Sequence, residues 1–172
     1  EVTLPGELVD FDAVAASGSE KKVTVSFTTP TTTMDGKPLS SVDKVEVLRD
    51  GEIIHTFTAP ATGTAFTYVD TEVATDGEHT YAAIPYGSGA AGPRSEKVVF
   101  VGMNVPAAPK WARARETENP GEVCLEWEVP TTYKDGRPLD PSTLTFNVYT
   151  PVNGSDMKIQ TGLTGNTTTF QI

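Results

Sequence analysis

Apolar and polar residues alternate with period two along most of this chain. Val23, Val25 and Phe27 are interleaved with Thr24, Ser26 and Thr28, so one set faces a core and the other faces water. The pattern predicts a ragged first strand over 8–15, closed by the Ser-Gly-Ser-Glu turn at 17–20, and then this second strand. Val45 and Val47 point inward on a third strand, Asp50-Gly51 turns a hairpin, and Ile53 to Thr58 runs back. Phe66 and Tyr68 mark a fifth strand, while GEHTYAAIPYGSGAAGP from Gly77 and RSEKVVFVG from Arg94 supply two more. No ten-residue window shows the i, i+3, i+4, i+7 spacing of an amphipathic helix. The reading is all-β, and seven short strands set off by turns predict a two-sheet sandwich.

One stretch occurs twice. FTTPTTTMDGKPL begins at Phe27 and WEVPTTYKDGRPL begins a hundred positions later, so Pro30, Asp35, Gly36, Pro38 and Leu39 return as Pro130, Asp135, Gly136, Pro138 and Leu139. A repeat at that spacing means two copies of one domain. The first is expected over 1–102 and the second over 103–172, with MNVPAAP at 103–109 as a short, stiff connector. In the second copy Val123, Leu125 and Trp127 are expected to face the core while Cys124, Glu126 and Glu128 face outward. Phe146 and Val148 take the places of Val45 and Val47, Asn153-Gly154 turns the hairpin, and Thr167 to Ile172 matches the fifth strand. Counterparts of the sixth and seventh strands are expected within about another thirty residues of a longer natural chain. Without them, the expectation is an uncovered inner face around Trp127 and a bare strand edge, with either self-association through the second domain or unusual mobility beyond residue 110.

The charge narrows the choice of partners. Seven basic and 15 acidic residues give the first copy −8, and six and eight give the second −2, for −10 in the 172 residues. Such a surface repels phosphate backbones and anionic head groups, so neither nucleic acid nor membrane insertion is expected. Cys124 is the single cysteine, which rules out an intrachain disulfide. The chain opens on Glu1, read here as a processed product or an excised piece, and it carries no apolar run of membrane-spanning length.

Candidate chemistry is sparse. His55 and His79 are not placed to converge, and with Cys124 in the other copy they have no zinc spacing. No serine sits in a Gly-x-Ser-x-Gly elbow. Glu126 and Glu128 share a strand face at about 7 Å, a separation glycosidases use, but an exposed face does not raise one pKa, so ion pairs with Arg113 and Arg115 are expected instead. Asp35 and Asp135 each offer one carboxylate beside a cation, far short of a calcium shell, and read as turn chemistry. The expectation is therefore no catalytic residue, no cofactor and no metal, with the ligand-contacting residues left unknown. Trp111 and Tyr133 are the aromatics that could serve a binding face.

Several of these features resemble fibronectin type III domains. They are the aromatic that ends the second strand before Pro30 or Pro130, the VEVLRDG third strand, HTYAAIPY in the place of the family's Tyr-rich sixth strand, and Gly92-Pro93 before the last. The DGKPL and DGRPL loops are similar to those of type III modules strung along large bacterial surface or secreted proteins. Phe27 stands where the family has a core Trp, which Trp127 retains, and His79 stands where it has a corner Tyr. An imidazole nitrogen there either takes over the tyrosine's bond to the backbone or leaves it unmade. The resemblance implies a non-catalytic extracellular or cell-surface spacer or interaction module, whose partners are flanking domains of the same chain and a protein or glycan ligand. A glycan- or protein-binding accessory module in adhesion, and an ancillary domain of a secreted carbohydrate-active enzyme, stay open as alternatives. YGSGAAG at 86–92 lacks the Arg-Gly-Asp of adhesive family members.

Overall fold

A computed structural model describes residues 3–152 and 154–171. Among these the regular structure is β throughout, apart from one 3-10 turn at Pro141–Thr143. The chain divides into two compact units, Glu1–Asn104 and Val105–Ile172.

In the first unit β1 (Val9–Ala15), β2 (Val23–Thr28) and β5 (Ala65–Asp70) form one antiparallel sheet in the order β1-β2-β5. The other contains β3 (Lys44–Arg49), β4 (Glu52–Thr58), β6 (Gly77–Gly87), the two-residue β7 (Ala90–Ala91) and β8 (Ser95–Val101). Its order is β4-β3-β6, with β7 and β8 both pairing β6. The inward positions follow the period-two reading, since Val23 and Val25 are wholly buried and Phe27 nearly so. Val45, Val47 and Tyr81 face them from the other sheet, and Val101 is buried with them. Each such Val contributes about 1.5–3 kcal/mol by leaving water. Phe27 meets Phe57 edge-on at 5.5 Å and stacks on Phe66 at 6.0 Å, so aromatic packing reaches the β4 and β5 edges.

One turn in this unit is strained. Ala59, just past β4, has φ 46° while its amide donates to the Asp43 carbonyl at 2.8 Å. A Cβ in the left-handed region costs about 1–2 kcal/mol, partly offset by the extra unfolded-state freedom of glycine. Ala59→Gly is therefore expected to stabilise the unit by about 0.5–1 kcal/mol in urea denaturation.

The second unit pairs β9 (Ala112–Glu116), β10 (Glu122–Trp127) and β13 (Thr167–Gln171) in the order β13-β10-β9. β11 (Phe146–Val152) pairs β12 (Ser155–Leu163) in a second sheet. Whereas β3 is flanked by β4 and β6, its counterpart β11 is paired along one side among the described residues. Asn153 of the expected turn lies outside the described residues, although Val152 and Ser155 do pair across it.

Two expectations are corrected here. Trp127 is not uncovered: it is 4% exposed, with its ring 5.1 Å from Phe146, and Val148 and Leu139 are buried too. Val123 and Leu125 are half-buried, so the inner face is partly closed by the two small sheets themselves. Cys124, expected to face water, is 5% exposed, because Arg115 and Thr169 flank it across the ladder and its Sγ rests 3.6 Å from Thr167 Oγ1.

Candidate functional site

The repeated loop has the same hydrogen-bonded form in both units. In the first, the Gly36 amide donates to Thr33 O at 3.0 Å, Thr33 N to Lys37 O at 2.8 Å and Leu39 N to Thr31 O at 2.9 Å. In the second, Gly136, Tyr133 and Leu139 donate to Tyr133, Arg137 and Thr131 at 2.9, 2.8 and 2.9 Å. Gly36 and Gly136 turn the chain at φ 81° and 89°, a conformation a side chain would resist. Leu39 and Leu139, both buried, tie each loop to its core.

Asp35 accepts from the Thr33 hydroxyl and pairs with Lys37 at 2.9 Å. Asp135 accepts from Arg137 through Nε at 2.8 Å and through the backbone amide at 3.2 Å. The Thr33 hydroxyl, with Lys37, holds the Asp35 carboxyl below its ordinary range, and Arg137 does the same for Asp135. Both carboxylates are engaged within their own turns.

The loop also grips the chain that leads into its unit. Gly6 N donates to Thr32 O at 2.8 Å and Met34 N to Leu4 O at 3.1 Å, while Pro5 bridges to Thr33. A hundred residues on, Ala107 N donates to Thr132 O at 3.0 Å and Lys134 N to Val105 O at 2.7 Å, while Pro106 bridges to Tyr133. The sequence carries a signal for this that the periodicity reading missed. Leu4-Pro5-Gly6 returns as Val105-Pro106-Ala107, 101 positions apart.

The first unit holds its outgoing chain as firmly. Gly18 N donates to Asn104 O at 2.8 Å, Asn104 N returns a bond to Gly18 O at 3.1 Å, and the Asn104 carboxamide donates to the carbonyls of Ala16 and Phe100, both at 3.0 Å. Asn104 thus belongs to the first unit and Val105 to the second. A single peptide bond joins two anchored residues.

Near that exit lies a polar cluster. Asp70, 1% exposed on β5, accepts from Arg49 of β3 at 2.5 Å, from the Tyr81 hydroxyl of β6 at 2.7 Å and from the Glu72 amide at 3.0 Å. Burial by itself raises the pKa of Asp70, but those donors outweigh it and hold the carboxyl below the usual range. Burial, reinforced by Asp70, pushes the Tyr81 phenol up. Beside them His79 Nδ1 lies 2.6 Å from Asp50 Oδ2, and its Nε2 lies 2.9 Å from the Thr75 carbonyl. An imidazole nitrogen therefore makes the backbone bond that a corner tyrosine would make.

The other sequence candidates lie apart. His55 on β4 stacks on Tyr68 at 4.5 Å and meets Phe57 edge-on at 4.6 Å, as an aromatic at the sandwich edge. Glu126 pairs with Arg113 at 2.8 Å and with Arg115 at 3.9 Å, as expected, whereas Glu128, beyond the end of β10, reaches Lys110 at 3.7 Å instead. Trp111, 45% exposed, lies under the Arg113 guanidinium at 5.2 Å, and Tyr133 under Arg137 at 4.8 Å. The described residues contain no cluster of three His, Cys, Asp or Glu that could hold a metal, and no helix long and apolar enough to cross a membrane.

No protein-family model matches the chain, and no curated protein does. Among solved structures the chain is similar to domains d3-d4 of the rat CD45 extracellular region, with 17% identity over 59% of this chain and 52% of that one, at a TM-score of 0.41. It is also similar to the chicken CNTN1 FN1-FN3 domains, with 14% identity over 97% of this chain and 55% of that one, at 0.45. A third likeness is to the Clostridium thermocellum CbhA fibronectin(III)-like modules, with 23% identity over 54% and 94% of the two chains, at 0.38. The match thus spans about half the CD45 and CNTN1 chains.

Proposed function

We propose that this chain is a tandem pair of fibronectin type III-like modules acting as a non-catalytic spacer within a larger secreted or cell-surface protein of bacterial type. Its work is geometric: it sets the separation of whatever flanks it. The observation that supports this most is that the chain is bonded on each side of the boundary, Asn104 back to Gly18 in the first unit and Val105 forward to Lys134 in the second. A flexible tether needs several unbonded residues to explore space. The same grip on Leu4, Pro5 and Gly6 supports reading the repeated loop as a device for seating an incoming chain, in whichever module it occurs.

The test is an insertion of Gly-Ser-Gly-Ser between Asn104 and Val105. Nitroxides are placed at the exposed positions Glu52 and Glu118, in a Cys124→Ser background, and their separation is measured by double electron–electron resonance. The expected result is a narrow distance distribution in the parent, about twofold broader after insertion. A parent distribution as broad as that of the insertion variant would refute the spacer reading.

A further inference from the structure

His79 sits at 8% exposure with acceptors at both ring nitrogens. Nδ1 faces a carboxylate oxygen at 2.6 Å, and Nε2 faces a backbone carbonyl at 2.9 Å. A carbonyl has no proton to give, and the Asp50 carboxylate has none near neutral pH. Neutral imidazole carries one N–H and can satisfy only one of the two, whereas imidazolium satisfies both.

We propose that His79 is a proton-operated clasp in the first unit, holding the β5–β6 connector, residues 71–76, against the β3–β4 turn while the ring carries both protons. The Asp50 side is built to persist. Its Oδ1 accepts from Thr80 N at 2.8 Å, its own amide donates to Thr80 O at 2.8 Å, and it turns the chain at φ 51°. Loss of one proton therefore leaves Nδ1–H on Asp50 and turns the Nε2 lone pair toward the Thr75 carbonyl. Nε2 and that carbonyl are then both acceptors, so the bond between them is lost, and the Thr75 hydroxyl, 3.4 Å from Nε2, is the donor within reach of the ring. Opening of the clasp is the release of the Thr75 carbonyl.

The surroundings bias the ring toward the charged state. From the β3–β4 turn it meets Asp50, and from β3 the field of Arg49, which opposes protonation but is itself engaged by Asp70 of β5. Tyr81, on β6 with His79, donates to that same Asp70, and across the ladder on β8 stands the uncharged Val99. On the connector, Asp76 is committed to Lys21 at 3.9 Å, and Glu72 gives its amide to Asp70. Burial lowers the basicity of His79, but Asp50 and the Thr75 carbonyl more than offset it, so the ring is raised above its ordinary value. Burial also acts on Asp50, yet His79 and the Thr80 amide leave its carboxyl lowered. The histidine's contribution is thus complete below about 6.5 and disappears as pH rises through its raised value. The aspartate's is complete above about 3.8 and disappears as pH falls through its lowered value. The clasp is closed between the two and opens toward alkaline pH.

The connector also borders the exit of the unit. Lys21 Nζ donates to Ala74 O at 3.1 Å, and Gly102, two residues before Asn104, lies so close to the connector that a Cβ there would meet the Asp76 carboxylate. These contacts persist when the Thr75 carbonyl is released, so the change is confined to residues 74–77.

The experiment is a pH series on the full chain by NMR, reading the ring nitrogens of His79, the Thr75 carbonyl carbon and the heteronuclear NOE of residues 74–77. The expected result is a His79 midpoint above about 6.5, with the Thr75 carbonyl shift following the same curve and the NOE falling as the ring deprotonates. Asp50→Asn should lower that midpoint by about one unit or more, and His79→Gln should make the Thr75 signal independent of pH. A His79 that titrates at or below the ordinary value, or a Thr75 carbonyl that ignores its titration in the parent chain, overturns the proposal.

Discussion

Asp70→Ala is expected to destabilise the first unit by about 3–5 kcal/mol, because removing one partner leaves the Arg49 charge, its side chain 21% exposed, without its counter-ion. Arg49 and Tyr81 belong to one sheet and Asp70 to the other, so the carboxylate is a cross-sheet tie as well as a charge partner. Without it the Tyr81 hydroxyl, on a fully buried side chain, and the Glu72 amide each lose their acceptor. Tyr81→Phe removes one hydroxyl and leaves the ion pair, so it should cost only about 1 kcal/mol. Because the folded-state pKa of Asp70 is lowered, its contribution is full above about 3.8 and is lost as pH falls through the lowered value. The parent should therefore lose stability in acid more steeply than Asp70→Ala. Both tryptophans, Trp111 and Trp127, lie in the second unit. Circular dichroism in urea should shift for these variants while tryptophan fluorescence stays put. A loss below about 1 kcal/mol for Asp70→Ala would mean the tie is idle.

Trp127→Ala should unfold or nearly unfold the second unit, with a loss of about 3–5 kcal/mol. This unit has the smaller core, and the indole is its largest buried side chain, set against Phe146. Trp127→Phe is the informative companion. The indole Nε1 is buried and meets no acceptor among the described residues, so the ring carries an unmet hydrogen-bonding cost that phenylalanine lacks. The first unit already uses Phe27 at the equivalent position. Lost packing and a removed orphan donor should nearly cancel, leaving Trp127→Phe within about 1 kcal/mol of the parent by thermal denaturation. If it proved as damaging as alanine, indole shape would be the deciding factor.

What could be read in advance follows from the range of each interaction. Burial of Val23, Val25 and Phe27 depends on which face of one strand is wetted, and alternation announces that directly. The Asp-Gly loops were legible because they recur. Cys124 escaped because an outward-facing residue becomes buried when flanking strands lay Arg115 and Thr169 beside it, which depends on register. Asp70 with Arg49 and Tyr81, and His79 with Asp50, join residues 11 to 29 positions apart. Their meeting is set by where two hairpins stop, and no local pattern of the chain encodes it. Glu128 met Lys110 rather than an arginine because β10 ends one residue earlier, at Trp127.

The bonds that tie Asn104 to Gly18, Ala16 and Phe100 bear on how a pulled molecule would fail. Tension arriving through the connector meets a residue fastened to Gly18 and Ala16 beyond β1 and to Phe100 within β8, so the load divides between strands of opposite sheets. The bonds to Gly18 and Ala16 must yield before the end of β8 can be drawn away from the β1 side of the unit. Rupture of such a joint is governed by the unfolding rate rather than by equilibrium stability, and Asn104→Ala should lower the force at which the first module opens far more than it lowers the melting temperature.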